Sequence, residues 1–121
     1  MTKHSRGAMS YQAGLAAETI VENDYARHGC PVLARRWRGK GGEIDLILQD
    51  GDGLIFVEVK TSKTHARAAS HVSPRQIARI MTAAEEFVAT QPRGGLTDMR
   101  FDVALVDGTG HVRVIENAFM A

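Results

Sequence analysis

Gly42–Lys60 reads GEIDLILQDGDGLIFVEVK, two apolar runs on either side of Asp50-Gly51-Asp52-Gly53. Gly in such a cluster adopts positive φ at little steric cost, and apolar runs flanking it predict a β-hairpin. A two- or a four-residue connection pairs Gln49 with Leu54. Leu46 then faces Val57, Asp45 faces Glu58 and Glu43 faces Lys60. One sheet face carries Ile44, Leu46, Leu48, Ile55, Val57 and Val59, and is expected under a helix. The other carries Glu43, Asp45, Ile47, Phe56, Glu58 and Lys60, and is expected to be open. Slipping by one residue would put charges among the apolar set, so the register is well specified.

This register places two carboxylates, Asp45 and Glu58, directly across from each other. Cross-strand neighbours sit about 4.5–5.5 Å apart at Cβ, and like charges there destabilise the pair. A divalent cation, a neighbouring lysine or both would give the sheet a reason to keep them. A solvated face on which the two acids splay into water is the plainer alternative.

At 121 residues the chain makes one domain, with residues 1–9 expected as a flexible tail and 10–121 as the folded unit. A formal charge of only +1 gives little overall pull on nucleic acid, so any such contact must rest on local charge. Cys30 is the single cysteine, which excludes a disulfide framework and a zinc cluster and reads as a small buried thiol. No long apolar run suggests a signal peptide or a membrane span, so a cytoplasmic location is the default and no membrane partner is expected.

From Ser10 to about His28 the pattern is helical, with Ala13, Ala16, Ala17, Ile20, Val21 and Tyr25 on one stripe. Ser10 suits the N-cap and Gly29 the C-terminal stop, while Glu18 lies at the stripe's edge. Pro31–Arg38 reads as a strand with a basic end, Arg35-Arg36-Trp37-Arg38. Basic residues around an aromatic suit phosphate contact and base stacking, and equally a solvated strand end with a half-buried tryptophan. Residues 61–72 show no period and read as a loop. Val59 to Ala84 holds five Lys or Arg and no Asp or Glu, which suits a loop tracking phosphates beside the carboxylates. Ser73-Pro74-Arg75-Gln76 opens a second helix with capping-box spacing, and Ile77, Ile80, Met81, Ala84, Phe87 and Val88 mark its core face. Strands follow at Met99–Val106 and near Val112–Glu116. The order α-β-β-β-α-β-β, helices flanking a mixed sheet of about five strands, is an α/β domain.

On these residues the chain resembles known families. Glu43-Ile44-Asp45 followed by Glu58-Val59-Lys60 looks like the core of the PD-(D/E)xK nucleases, and Glu18 matches the added helical glutamate of their Holliday-junction-resolvase-like branch. More closely, the chain resembles the YraN-like bacterial family. The matching pieces are Gly14-Leu15-Ala16-Ala17-Glu18, Trp37-Arg38, Gly42 to Ile47, Phe56 to Thr61, Arg100-Phe101-Asp102-Val103 and Asn117-Ala118-Phe119. Two positions depart from its usual pattern: Ser62 stands for arginine and Arg75 for lysine, both bearing on phosphate contacts.

The resemblance implies a restriction-endonuclease-like three-layer fold and metal-dependent cleavage of nucleic acid, DNA before RNA. It implies Mg²⁺ or Mn²⁺ held by Asp45, Glu58, the Val59 carbonyl and Glu18, as hard ions take oxygen ligands. Lys60 would sit beside the metal-bound water, helping to keep it as hydroxide or steadying the phosphorane, and Glu43, opposite Lys60 in this register, would orient it. Arg35, Arg36, Arg38, Lys63, Arg67 and Arg75 are the implied nucleic-acid contacts. Resolvase-like relatives cut two symmetric strands as dimers, so a homodimer is also expected. A module that keeps the fold and binds nucleic acid or a partner without turnover is the alternative.

Overall fold

A computed structural model of the protein describes residues 3–66 and 72–119, and in residues 3–13 the backbone alone. Helix α1 spans Lys3–Arg27, followed by strands β1 (Val32–Arg38), β2 (Glu43–Asp50) and β3 (Gly53–Thr61). Helix α2 spans Pro74–Val88, and strands β4 (Met99–Val106) and β5 (Val112–Phe119) complete the chain. The five strands form one sheet in the order β1-β2-β3-β4-β5, antiparallel except for the parallel β3–β4 pair. The residues between β3 and β4 include α2, the crossover a parallel pair requires.

The hairpin register is the one expected, with Gln49 opposite Leu54 and Leu46 opposite Val57, closed through Gly51 at φ 61°. Its two faces are not one covered and one open. Leu46, Leu48, Ile55 and Val57 pack with Ala17, Val21 and Tyr25 of α1. Ile47 and Phe56 pack with Ile80, Ala83, Ala84 and Val88 of α2, so the face expected to be open is covered there. The correction has a plain cause: the parallel β3–β4 crossover brings α2 onto the second face, and Ile47 and Phe56 supply apolar surface for it to bury. Ile44 also changes sides, packing with Ile47 rather than with Leu46. Its partner on β1 is Trp37, and the residue before Trp37, Arg36, has φ 49°. That left-handed conformation disfavours a residue with a Cβ by roughly 1–3 kcal/mol and breaks the regular alternation of the strand.

Helix α1 begins before Ser10, which is therefore interior rather than an N-cap, and most of the stretch expected as a tail continues the helix. Once a helix is nucleated each further residue adds a hydrogen bond, and this stretch has no proline to stop it. The buried seam is narrower than expected. Ala17, Val21 and Tyr25 are buried, whereas Ala16 and Ile20 are exposed, and Glu18 is buried beside Ala17. Gly29 ends α1 at φ 82°, as its position suggests.

The start of α2 follows its sequence signal: Pro74 is in the first turn and the Ser73 hydroxyl accepts from the Gln76 N–H at 3.1 Å. Glu86 of α2 accepts the N–H groups of Lys40 and Gly41 at 3.0 and 3.2 Å, tying the β1–β2 turn to the helix. Gly39 and Gly41 leave no room there for a Cβ, which would strike Glu86 and Thr82. Trp37 is half-buried, standing edge-on to Phe87 with ring centroids 5.3 Å apart and packed against the α2 side of the core. Phe119 stacks on Phe101 at 5.2 Å and closes the core.

Candidate functional site

The N-terminal end of β2, the C-terminal end of β3, the first turn of α2 and the middle of α1 meet around Asp45 and Glu58. The β2–β3 ladder stops at Leu46–Val57. One step further the Asp45 carboxylate, not a backbone carbonyl, accepts the Val59 N–H at 2.8 Å. The side chain thereby satisfies a strand-end donor that would otherwise lose its partner as the strands part.

Glu58 is buried on the α2 side of β3. The Lys60 ammonium lies 3.2 Å from its Oε1, and the Gln76 side-chain amide donates to the same oxygen at 2.6 Å. Burial, and then the Asp45 charge, push the Glu58 carboxyl up to about 7, against the pull of Lys60. Asp45 is raised too, chiefly by burial, with the Val59 N–H opposing and the Glu18 charge adding. The two acids therefore share a partly dry pocket within hydrogen-bond reach, where Glu58 keeps its proton and gives it to Asp45. Oxygen donors arranged in this way fit a hard divalent cation.

Glu18 approaches this pair without joining it. Its carboxylate is gripped by Arg36, with Nη2 at 2.6 Å and Nε at 3.1 and 3.2 Å. Among the described residues no three His, Cys, Asp or Glu side chains converge as a metal site. Glu43 does not pair with Lys60. Its carboxylate takes Arg38 at 3.1 Å, because the strands have already separated before the Glu43 position.

The expected basic contacts divide into two groups. Arg35 is bound to Glu22 at 2.6 and 2.8 Å, Arg36 to Glu18 and Arg38 to Glu43, so the charge of the β1 end is largely matched by acids. Lys63 and Arg75 are exposed, and Arg75 sits in the first turn of α2 beside Gln76. Arg67 lies outside the described residues.

The sequence marks Gln76 only as part of a helix start. Its spacing from Ser73 gave the cap, and nothing local shows that its amide turns toward β3. Asp102 likewise stands out in the sequence only within a motif. It is almost fully buried, and it accepts from Tyr25 Oη at 2.6 Å, Arg100 at 3.0 and 3.2 Å and the Asn117 N–H at 2.9 Å. A cavity of about 390 Å³ lined by Tyr25, Cys30, Asp50, Arg100 and Glu116 adjoins that network. It lies on the α1 side of the sheet, whereas Glu58 meets α2 on the other.

The family model described as the uncharacterised protein family UPF0102 matches residues 17–106. A UPF0102 protein of Cereibacter sphaeroides is 59% identical over 115 residues, 95% of this chain and 98% of its own. One from Ruegeria pomeroyi is 56% identical over 115 residues, covering 95% and 94%. A solved structure of Pyrococcus furiosus SfsA in complex with Ca²⁺ is 18% identical, with a TM-score of 0.34 over 88% of this chain and 63% of that one.

Proposed function

The chain belongs to the uncharacterised protein family UPF0102, and on the geometry of its paired carboxylates we propose that it is a metal-dependent nuclease hydrolysing phosphodiester bonds of DNA, branched or single-stranded. The observation that carries this reading is the opposition of Asp45 and Glu58, both with raised proton affinity, beside Lys60 at 3.2 Å. Like charges across neighbouring strands destabilise a sheet, and a divalent cation between them would offset that repulsion.

Asp45, Glu58 and the Val59 carbonyl would hold Mg²⁺ or Mn²⁺. The Val59 N–H points to Asp45, and in an extended strand the carbonyl of the same residue leaves on the same edge. A bound ion of this kind acidifies water and neutralises charge on a phosphate. Lys60 would donate to the phosphate oxygen on which charge develops, an interaction strongest in the transition state. Gln76 holds the Glu58 carboxylate in place from α2, and Lys63, Arg67 and Arg75 would hold the flanking phosphates. A junction cut symmetrically would be met by a homodimer.

Cleavage of branched, single-stranded and duplex DNA in Mn²⁺ against EDTA tests the proposal. Product that requires Mn²⁺ and disappears in Asp45→Ala, Glu58→Ala and Lys60→Ala is the expected result. One observation favours a binding module without turnover: Lys60 and Gln76 on Glu58, and Arg36 on Glu18, already give these acids partners. Metal-insensitive DNA binding with no product at high enzyme concentration would decide for the module.

A further inference from the structure

A cleft of about 380 Å³ opens where the C-terminal ends of β3 and β4 meet the flank of α1. Thr61, Ser62 and Val106 line it from the sheet, Ala16 and Ile20 from the helix, and Gly110 from the β4–β5 turn. Ile20 falls on the apolar stripe of α1 and yet stands 36% exposed, an aliphatic wall beside the opening. A Cβ at Gly110, where φ is 84°, would stand 3.7 Å from Ile20 Cδ1, so the cleft narrows there. The wall opposite α1 is braced. The Asp107 carboxylate accepts the N–H groups of Thr109 and His111 at 2.9 and 3.0 Å, which fixes the turn. The turn ties down the chain leaving β3: Gly108 gives its N–H to the Lys63 carbonyl at 3.4 Å, and His65 Nε2 lies 3.0 Å from the His111 carbonyl. Ser62 adds its N–H to the Val106 carbonyl at 3.1 Å. A preformed, mostly apolar recess with a few polar groups has the make-up of a small-ligand site.

We propose that this cleft takes one unpaired nucleobase beside the phosphate at Lys60, so that the substrate is a strand with a base out of its stack rather than continuous duplex. The proposal rests on the nuclease reading for where the phosphate lies. Lys60 immediately precedes Thr61, and successive residues of a strand point to opposite faces. Lys60 turns to Glu58 on the α2 side, and Thr61 lines the cleft on the α1 side. A nucleic-acid strand crossing this end of β3 with a phosphate at Lys60 therefore has the cleft one residue away. Narrowing at Gly110 suits a single flat group entering end-on rather than a segment of chain laid along the opening. A base held in a duplex stack does not reach such a recess, and extrusion costs least where the base is already unpaired.

Abasic scanning tests this. The full chain is titrated in Ca²⁺ against labelled single-stranded oligonucleotides, each lacking the base at one position, and binding is followed by fluorescence anisotropy. One position is expected at which loss of the base weakens binding about tenfold, the factor that burial of about 55 Å² of apolar face supplies. The Mn²⁺-dependent cut is expected at a phosphate next to it. Ala16→Leu fills the cleft from an exposed helix position that leucine suits. It should weaken the intact oligonucleotide about tenfold and show no further loss at the sensitive position, since two changes to one contact do not add. Ile20→Ala removes part of the wall and should shrink the abasic effect to about threefold, and it carries the test if Ala16→Leu fails to fold. Equal loss at every position, or variants as sensitive to the missing base as their parent, would overturn the proposal. A flat scan with Mn²⁺-dependent product overturns the cleft alone and leaves the nuclease reading. A sensitive position without product keeps the cleft and ends the nuclease reading, and no oligonucleotide binding ends both.

Discussion

Val59, two residues past the last paired position of β3, gives its backbone N–H at 2.8 Å to the carboxylate of Asp45, one residue before the first paired position of β2. Continued in register, that donor would face the Ile44 carbonyl. The carboxylate takes that role, so the strands can part and leave a gap beside Glu58. Asp45 is therefore both a brace and a candidate ligand, and substitution can separate the two. Asp45→Asn keeps an acceptor and should hold stability while losing metal binding. Asp45→Ala leaves the N–H without its partner and should cost about 1–3 kcal/mol. Urea midpoints compared at one pH check this, and equal midpoints for the two variants would count against the brace.

Glu58 binds its proton up to about 7, against an ordinary glutamate value of 4.5. Between those values the folded chain keeps a proton that the unfolded chain has released, so stability falls as pH rises through that window. Over it the parent should lose roughly 3 kcal/mol that Glu58→Gln retains. Thermal melts from pH 4 to pH 8 read the difference. At pH 8, added Mn²⁺ should raise the parent's Tm and leave that of Glu58→Gln unmoved. Parallel pH profiles for the two proteins would show that Glu58 carries no such load.

Gln76 supplies a neutral donor where a third acid would be troublesome. Its N–H is fixed by Ser73 and its amide by Glu58, so Gln76→Glu would hold a new carboxylate beside the existing pair. On an exposed first turn that change is mildly favourable to a helix. Here it should lower the Tm of the metal-free protein at neutral pH by several degrees and tighten Mn²⁺ binding about tenfold. A melt with and without Mn²⁺ separates the two effects. A higher metal-free Tm would mean that Gln76 faces water rather than Glu58.

The hairpin was legible because its period of two and its turn residues leave one register that keeps charge out of the apolar set. Ser73-Pro74 and Gly29 marked their helix ends by cap chemistry, which is local. What could not be read depended on contacts far apart in the chain. Helix α2 covers Ile47 and Phe56 because β3 and β4 are parallel, and no residue in the hairpin records that. The turning of Arg36 toward Glu18 follows from a single backbone angle that arginine gives no reason to expect. Glu43 meets Lys60 only if the ladder runs on past Leu46, where it in fact ends. Tyr25 was counted in an apolar stripe, and only the fold brings its hydroxyl to Asp102, which is remote in sequence.

That Asp102 cluster gives the last prediction. The buried carboxylate receives Tyr25, Arg100 and the Asn117 N–H, where β4 and β5 shift register and Asn117 adopts φ 50°. Burial, with the Asp102 charge reinforcing it, pushes the Tyr25 hydroxyl well above the usual range, so it stays a donor at any working pH. Tyr25→Phe removes one bond to a charged acceptor and should cost about 1.5–3 kcal/mol. Asp102→Ala strands the Arg100 guanidinium and the Asn117 N–H together and should cost about 3–5 kcal/mol. Asp102 pairs with Val57, next to Glu58, but it meets Tyr25 on the α1 side of the sheet whereas Glu58 meets Gln76 on the α2 side, so Tyr25→Phe should leave Mn²⁺ affinity unchanged at a temperature where the variant is folded. Urea unfolding and Mn²⁺ titration of that variant test both halves, and a fall in metal affinity would show that the two faces of the sheet are coupled.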